Sequence, residues 1–301
     1  MHRAIAAWLT ERPWRAAVAS AFCGALSPQM MLPFMVVAGA IPVLMTMRFD
    51  ARVALAIAGT GAAAATWVVF SASEPVWWVL AGIVLLFFSP VLLALLLKRT
   101  GSLNLSFQVA VLGAAAGLII VHVVLSDPVA IWTELLNRVL DSMAAAGLRL
   151  EGDQGAIVRV WARTMWGALA ALTLAMILGS LLLGRWWQSL LESPGAFGSE
   201  YRRLRLGLTL GVTITILFVV ALTTDSPLVA SLAWVAFVAL AFQGLAAAHR
   251  SKAGGRLNRG WLAAIYVLLI VPLSMSITVF VLAIWGFADN WLRPRSTQAS
   301  H

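Results

Sequence analysis

The sequence predicts an all-α fold, a bundle of about eight or nine transmembrane helices. Hydrophobic residues make up 61% of the 301-residue chain and charged residues 11%, against about 25% charged in soluble domains. The apolar residues also form continuous blocks that can cross a ~30 Å hydrocarbon core, instead of alternating with polar residues. Because such a chain cannot hide its apolar surface from water, we expect one integral membrane domain over residues 1–301.

The first membrane segment contains a proline break. As one helix, residues 15–47 would be about 50 Å long, too long for one crossing. Ser27-Pro28 interrupts the segment, so we expect two short helices, and one bent helix would lower the count from about nine crossings to about eight. The expected spans are 15–27, 30–47, 53–72, 76–97, 105–125, 164–183, 206–224, 228–248 and 261–287.

Basic residues predict the orientation of these spans. Lys and Arg concentrate in alternate loops, and such loops stay on the cytoplasmic side. The basic loops hold Arg48, Arg52, Lys98, Arg99, Arg185, Arg202, Arg203, Arg205, Arg250, Lys252, Arg256 and Arg259. We therefore expect a multi-pass protein of a bacterial inner membrane with a cytoplasmic N-terminus. The net charge of +9 then reflects this orientation and contact with anionic lipids, and no nucleic-acid partner is expected.

The side of the C-terminus has two alternatives. Trp261 and Trp285 bracket the last span as interfacial anchors do, which favours one tilted crossing and an outside C-terminus. Pro272 lies near the middle of this span and could instead divide it into two helices. A divided span would return the tail, with Arg293 and Arg295, to the cytoplasm.

One amphipathic surface helix is expected outside. Apolar residues recur at helical spacing between Ile131 and Met143, and polar residues fill the opposite face. Asp127 is placed to cap the helix, with Pro128 in the first helical position. This pattern is typical of a connector in the membrane interface or of a helix that covers a cavity.

A second surface helix is expected in the cytoplasm. An apolar stripe from Trp186 to Leu191 precedes a Pro194-Gly195 break, and the segment 199–205 then leads into the next span. The three arginines of this segment would contact lipid phosphates or an acidic partner, or only enforce orientation. They are Arg202, Arg203 and Arg205.

Small residues predict where helices pack. Inside lipid, close approach of two helices depends on Gly and Ala, which let backbones come near each other. The expected contacts use a ladder on the first helix and two Gly-x-x-x-Gly pairs. They are Ala17, Ala21 and Ala25, then Gly113 with Gly117 and Gly207 with Gly211.

Polar residues inside spans are the candidate ligand contacts. Trp67 and Trp234 lie deeper in their spans than the other tryptophans and are candidates for ligand stacking. The full candidate set is His122, Gln243, Ser274, Ser276, Thr278, Trp67 and Trp234. Acidic residues lie in loops, tails or span ends, so we expect no intramembrane carboxylate of a proton-coupled pump. Because no catalytic, phosphate-binding or metal-ligand motif is present, we expect no catalytic residue, metal or cofactor.

Two motifs carry a family resemblance. The segments Phe197-Gly-Ser-Glu-Tyr-Arg-Arg-Leu-Arg-Leu-Gly207 and Gly286-Phe-Ala-Asp-Asn-Trp-Leu-Arg-Pro-Arg295 resemble landmarks of the bacterial domain-of-unknown-function 2232 (YybS-like) membrane proteins. The start, including Ala40-Ile-Pro-Val-Leu-Met-Thr-Met-Arg48, looks like that of substrate-binding S components of energy-coupling-factor transporters. The family implies no established activity. S components would imply a ligand held in the bundle and an ATPase partner, but this chain has more spans than their usual six.

Three classes of function follow from these patterns. The first is a non-catalytic transport subunit with a small-molecule site open toward the outside, resembling S components and dependent on an ATPase partner. The alternative is a non-transport scaffold or regulatory protein that recruits membrane partners through its basic cytoplasmic face. A membrane-embedded enzyme comes last because candidate catalytic residues are missing.

Overall fold

The chain is helical throughout the part that the structure describes. The computed structural model describes residues 2–30, 32–72, 77–148 and 152–292, and no strand occurs among them. The helices are α1 (His2–Glu11), α2 (Pro13–Met30), α3 (Leu32–Arg48), α4 (Ala51–Ala72), α5 (Trp77–Thr100), α6 (Leu103–Val124), α7 (Pro128–Ala145), α8 (Gln154–Glu192), α9 (Ala196–Tyr201), α10 (Gly207–Thr223), α11 (Pro227–Ala253), α12 (Arg259–Ile270) and α13 (Pro272–Leu292).

Six of these helices are long and apolar enough to cross a membrane. They are α4, α5, α6, α8, α11 and α13. Shorter apolar helices cover Pro33–Arg48, Gly207–Thr223 and Gly260–Ile270. The prediction of an all-α fold with several membrane-spanning helices is therefore confirmed for the described residues, and these are the helices of a multi-pass membrane protein.

Helix α8 is longer than the sequence suggested. The predicted span 164–183 is the middle of one helix of 39 residues, because Pro194 is the first strong helix breaker after its start. The predicted separate surface helix at Trp186 to Leu191 is therefore wrong, since this stripe forms the last turns of α8. The short helix α9 follows the Pro194-Gly195 break and ends at Tyr201, so residues 202–205 lie outside a helix.

Of the two alternatives for residues 261–287, the structure has the divided one, because the segment is interrupted at Val271-Pro272 between α12 and α13. Proline has no backbone N–H, so Pro272 cannot donate to the carbonyl of Leu268 one turn earlier. The hydroxyl of Ser274 donates to this carbonyl instead, at 2.9 Å. The bond satisfies the carbonyl that the proline leaves without its helical partner.

The described chain forms two compact units. The first comprises Met1–Ala110 with Thr173–Leu204, and the second comprises Val111–Leu172 with Arg205–His301. Because α6 and α8 each continue from one unit into the other, the packing of each unit is described by itself.

Helices of the first unit pack through small residues. A Cβ at Gly24 of α2 would lie 2.3 Å from the carbonyl oxygen of Gly61 in α4, so these two helices cross with their backbones in contact. A Cβ at Gly184 of α8 would likewise lie 2.7 Å from the carbonyl oxygen of Ala40 in α3. The hydroxyl of Ser180 donates to the Val36 carbonyl at 3.2 Å. The order of these contacts shows that α3 and α8 run in the same direction.

Charged side chains connect the helix ends at one end of the first unit. Lys98 donates from Nζ to the carbonyls of Thr46 and Phe49, both at 2.9 Å, and so neutralises the carbonyl end of α3. Arg48 lies 3.4 Å from a carboxylate oxygen of Glu192 and 3.3 Å from the hydroxyl of Thr10. These bonds bring the ends of α1, α3, α5 and α8 together.

The second unit is built on α11 and α13. A Cβ at Gly244 would lie 1.8 Å from the Leu282 carbonyl oxygen, and one at Gly286 would lie 2.0 Å from that of Leu240. Only glycine allows this backbone contact. The rings of Phe237 and Phe280 lie 6.0 Å apart farther along the same interface. The helices are parallel, because the contacts Phe237–Phe280, Gln243–Gly286 and Arg250–Asp289 advance along both sequences in the same direction.

Candidate functional site

A buried polar cluster joins three helices of the second unit. It consists of Arg205, Gln243, Arg250, Asp289 and Asn290, and we call it the Gln243 cluster. Gln243 has no exposed surface and Asn290 is 4% exposed. Burial of such groups costs free energy unless they are hydrogen bonded, so their partners define what the cluster does.

Gln243 of α11 bridges the ends of two other helices. Its Oε1 accepts from the backbone N–H of Leu206 at 2.9 Å, one of the donors that a helix leaves unsatisfied at its start. Its Nε2 donates to the Gly286 carbonyl at 3.1 Å and approaches side-chain oxygens of Asp289 and Asn290 at 3.4 Å. One amide therefore connects the start of α10 with the last turns of α13.

Asn290 and Arg205 make the second connection between α10 and α13. Asn290 donates from Nδ2 to the Gly207 carbonyl at 3.1 Å, and Arg205 donates to the Asn290 backbone carbonyl at 3.0 Å. A guanidinium at a helix C-terminus satisfies an exposed carbonyl and opposes the negative end of the helix dipole. Gly207 has a φ of +86°, so the chain turns into α10 in a conformation that favours glycine.

An ion pair completes the Gln243 cluster. Arg250 of α11 bonds the carboxylate of Asp289 of α13, whose side chain is 10% exposed. A carboxylate in this position would be costly without a cation, and removing one partner of a buried pair is strongly destabilising. The pair also places a positive charge near the C-terminal ends of both helices. The cluster is therefore suited to hold three helix ends in register.

The sequence identified this cluster only in part. Gln243 was predicted as a ligand contact, whereas its amide bonds to protein groups at both ends. Asp289 and Asn290 were noted only within the second resemblance motif, and Arg205 and Gly207 only within the first and as packing or surface residues. A polar residue inside an apolar span was the available signal, but its partners depend on how the helices pack.

The other predicted ligand residues do not converge with Gln243 in the described structure. His122 Nδ1 lies 2.9 Å from the Leu118 carbonyl of its own helix. Thr278 donates to the Ser274 carbonyl at 2.8 Å, and Ser276 is exposed. Serine and threonine hydroxyls commonly bond to their own helix in this way. The ligand contacts therefore remain predictions.

The two candidate tryptophans lie in different units. Trp67 belongs to the first unit and is 77% exposed. Trp234 belongs to the second unit, is 44% exposed, and meets the Phe237 ring edge-on at 6.4 Å. Their exposure in apolar helices is typical of contact with lipid.

The alanine ladder of α2 lies beside the closest helix contact. Ala17, Ala21 and Ala25 are half-buried, and the Ala17 carbonyl accepts from the Thr60 hydroxyl of α4 at 3.2 Å. The adjacent face, with buried Gly24, makes the backbone contact with α4. Helix α2 therefore contacts α4 through a stripe of residues one position away from the predicted ladder.

The two glycine pairs differ in their surroundings. A Cβ at Gly211 would lie 2.1 Å from Asn290 Nδ2, so Gly211 packs directly against the Gln243 cluster. A Cβ at Gly113 or Gly117 would meet no described atom within 4 Å. Among the described residues, only the pair on α10 has a close neighbour, through Gly211.

The arginines after α9 have three environments. Arg203 is exposed, Arg202 is half-buried, and Arg205 is turned to α13 as part of the Gln243 cluster. Helix α9 itself is held by Glu200, which forms a two-point ion pair with Arg185 of α8, one contact at 2.9 Å. Contact of these arginines with lipid or an acidic partner stays a prediction.

A shallow depression runs along helix α7. It has a volume of about 350 Å³ and is lined by Arg138, Val139, Ser142, Met143, Ala146 and Leu148.

The predicted N-terminal cap of α7 is present, since Asp127 accepts from two backbone N–H groups of the first turn. The start of α7 is also fixed, because Trp166 donates to the Pro128 carbonyl at 2.9 Å and its ring meets that of Trp132 edge-on at 5.5 Å.

Neither the side chains nor the comparisons with known proteins assign an activity. Within the described ranges, no three His, Cys, Asp or Glu side chains form a group that could hold a metal ion. No family model matches the chain, and no curated protein or solved structure matches it. The class defined by the fold is a multi-pass α-helical membrane protein.

Proposed function

We propose that this chain is a non-catalytic protein of the bacterial inner membrane that acts as a scaffold or regulatory subunit. It would recruit partners through a basic surface at its cytoplasmic end. The observation that carries this proposal is an imbalance of charge at one end of the first unit, where arginines pair with the local carboxylates and further basic side chains remain on the surface.

Three of the four carboxylates at this end form internal ion pairs, and the fourth, Asp50, is exposed beside Arg52. Glu11 pairs with Arg15, Glu192 with Arg48, and Glu200 with Arg185. Further arginines are exposed and form no ion pair within the described residues: Arg3, Arg12, Arg52, Arg99 and Arg203. We call these five residues the basic surface. Clustered positive charge of this kind favours an acidic partner and speeds its association.

We also propose ten crossings with both termini in the cytoplasm. The supporting observation is that α11 and α13 are parallel, so α12 must return the chain between them. Helix α12 has 12 residues, about 18 Å, and would make this return as a short helix. Counting α2, α3, α4, α5, α6, α8, α10, α11, α12 and α13 as crossings places every basic loop on one side, as the positive-inside rule requires.

Reporter fusions test this topology. A green fluorescent protein fused to the C-terminus should fluoresce, and an alkaline phosphatase fusion at the same place should be inactive. An impermeant thiol reagent should label an Asp153→Cys variant in intact spheroplasts and leave Lys252→Cys unlabelled, both in a Cys23→Ala background. An active C-terminal phosphatase fusion would exclude ten crossings, and labelling of Lys252→Cys would exclude the orientation.

Purification from native membranes tests the proposed scaffold function. We expect proteins that co-purify with the wild type to be lost from Arg99→Gln/Arg203→Gln. The control is Arg138→Gln/Arg159→Gln, which removes the same charge from the outer surface. Topology and expression of both variants should match the wild type. Equal recovery of every partner from the two variants would contradict the proposal.

A small-molecule transport subunit resembling S components is the second candidate. The depression along α7 favours it as a recess lined by polar and apolar side chains, although it is shallow and open, whereas ligand sites are enclosed. This function would require an ATPase partner. Recovery of an ATPase subunit and a bound small molecule with the purified protein would favour transport over the scaffold.

The resemblance to the domain-of-unknown-function 2232 family also remains a proposal. Its support is that the two motifs carrying it meet in the structure, through the bonds of Arg205 and Gly207 with Asn290. This contact gives the two segments a common role in fixing α10 against α13.

A further inference from the structure

Helix α1 lies across the end of the first unit. Thr10, near its C-terminus, accepts from Arg48 at the end of α3 at 3.3 Å, and the ring of His2, at its start, lies 5.2 Å from that of Trp186 in the last turns of α8. Both ends of α1 therefore contact the same end of other helices. A helix of 10 residues, about 15 Å long, is thereby held against the ends of α3 and α8.

The two faces of α1 have different surroundings. Ala6 and Leu9 are buried against the first unit. Ile5 is 42% exposed and Trp8 is 46% exposed in the same helix, and Trp14, in the first turn of α2, is 57% exposed. Tryptophan favours the headgroup region of a bilayer, where its ring is in an apolar setting and its N–H reaches a polar partner.

One arginine lies between two of these rings, and two more exposed arginines belong to the same short segment. The Arg15 guanidinium lies 5.4 Å from the centre of the Trp8 ring and 5.8 Å from that of Trp14, so cation–π contacts hold it between them. Glu11 neutralises Arg15. Arg3 and Arg12 are exposed and form no ion pair in the described chain, so their charges remain available to a ligand.

We propose that α1 and the first turn of α2 form a binding surface for an anionic phospholipid of the cytoplasmic leaflet. Ile5, Trp8 and Trp14 enter the headgroup and upper acyl region, and Arg3 and Arg12 bond the phosphate. Charge complementarity identifies the occupant, because exposed apolar rings beside uncompensated guanidinium groups fit an anionic amphiphile. This surface shares Arg3 and Arg12 with the basic surface of the proposed function. The partner experiment varies Arg99 and Arg203 instead, so either proposal can fail without the other.

Lipid titration of the full-length protein tests this surface. Native mass spectrometry in detergent would compare phosphatidylglycerol with phosphatidylcholine of the same acyl chains. We expect tighter retention of phosphatidylglycerol by the wild type. Arg3→Gln/Arg12→Gln should weaken it by roughly twenty-five-fold, about five-fold for each charge removed, and should leave phosphatidylcholine unchanged.

The control is Arg138→Gln/Arg159→Gln, which should retain phosphatidylglycerol as the wild type does. Both variants should fold, since the four arginines are exposed, and matching melting temperatures would verify this. Equal phosphatidylglycerol affinity of Arg3→Gln/Arg12→Gln and the wild type would overturn the proposal, as would an equal loss in the control. A bimane label at Ile5→Cys in a Cys23→Ala background provides a second measurement. Headgroup spin labels should quench it in reconstituted bilayers, and absence of quenching would overturn the placement of Ile5 in the headgroup region.

Discussion

Helices α6 and α10 carry the same Gly-x-x-x-Gly spacing in different surroundings. Gly211 of α10 contacts the Asn290 side chain so closely that a Cβ would lie 2.1 Å from Nδ2. At Gly113 and Gly117 of α6, no described atom lies within 4 Å of an added Cβ. The spacing places two glycines on one face of a helix, but it does not determine whether another helix covers that face.

The tightest contact in the second unit comes from glycines that the spacing did not select. Gly244 and Gly286 bring the backbones of α11 and α13 together, and the Gln243 cluster lies at the end of this contact. Inside lipid the hydrophobic effect does not drive helices together. Small residues let the backbones approach closely enough for van der Waals contact to hold them. The comparison of α6 with α10, α11 and α13 therefore leads to a graded set of expected effects.

The largest effect is expected for Gly244→Leu. Its Cβ would lie 1.8 Å from the Leu282 carbonyl oxygen, and a backbone in a helix cannot move aside as a side chain can. We expect a loss of about 3 kcal/mol or more in the free energy of unfolding, measured by thermal unfolding in detergent. The matched control is Gly82→Leu of α5, where an added Cβ meets nothing described within 4 Å. Equal melting temperatures for the two variants would disprove the close contact of α11 and α13.

Gln243→Leu should have the next largest effect. It removes the acceptor of the Leu206 N–H and the donor to the Gly286 carbonyl, and buried groups left without partners cost about 1–3 kcal/mol. We expect a loss of about 2 kcal/mol in unfolding free energy. Thr209→Val, on an exposed position of α10, is the control. A melting temperature of Gln243→Leu within error of this control would show that the bonds contribute nothing.

A smaller effect is expected for Gly211→Ala. The obstructing atom is the end of the Asn290 side chain, which can rotate, so we expect a loss of about 1 kcal/mol. A double-mutant cycle isolates the contact, because Gly211→Ala should cost less in an Asn290→Ala background than in the wild type. The same cost in both backgrounds would mean that the strain arises elsewhere.

The smallest effect is expected for Gly113→Leu/Gly117→Leu. With no described neighbour to displace, the unfolding free energy of the isolated chain should change by less than about 0.5 kcal/mol. Size-exclusion chromatography with light scattering sharpens the comparison, because loss of a complex at unchanged melting temperature would place a partner helix on this face. A loss of stability as large as that of Gly244→Leu would mean that α6 is packed within the chain.

Much of the fold was predictable because lipid constrains composition. A membrane span must satisfy its backbone bonds internally and present apolar side chains, so long apolar blocks predicted α4, α5, α6 and α11 closely. Amphipathic spacing and the Asp127 cap likewise predicted α7. Local signals failed at α1, which is short, and at α8, where a polar stretch continues one helix into the interface.

The candidate site was less predictable for a physical reason. Gln243 was visible as a polar residue in an apolar span, but its bonds reach residues 37 and 43 positions away in the chain. The role of Asn290 depends on the crossing of α10 and α13, which follows from no local pattern. Arg205 was expected at a lipid or partner surface, and the structure turns it toward the end of α13.

By itself the sequence determined the class of protein, the approximate helices and the charge bias of the loops. These three properties depend on whether a segment lies in lipid or in water, and the composition of the segment itself indicates which. The tertiary structure alone decided that α12 and α13 are separate, that α11 and α13 are parallel, and that one glycine pair is covered while the other is open. Those outcomes depend on contacts between distant segments, where a few ångströms of backbone separation decide whether a glycine is required or free to change.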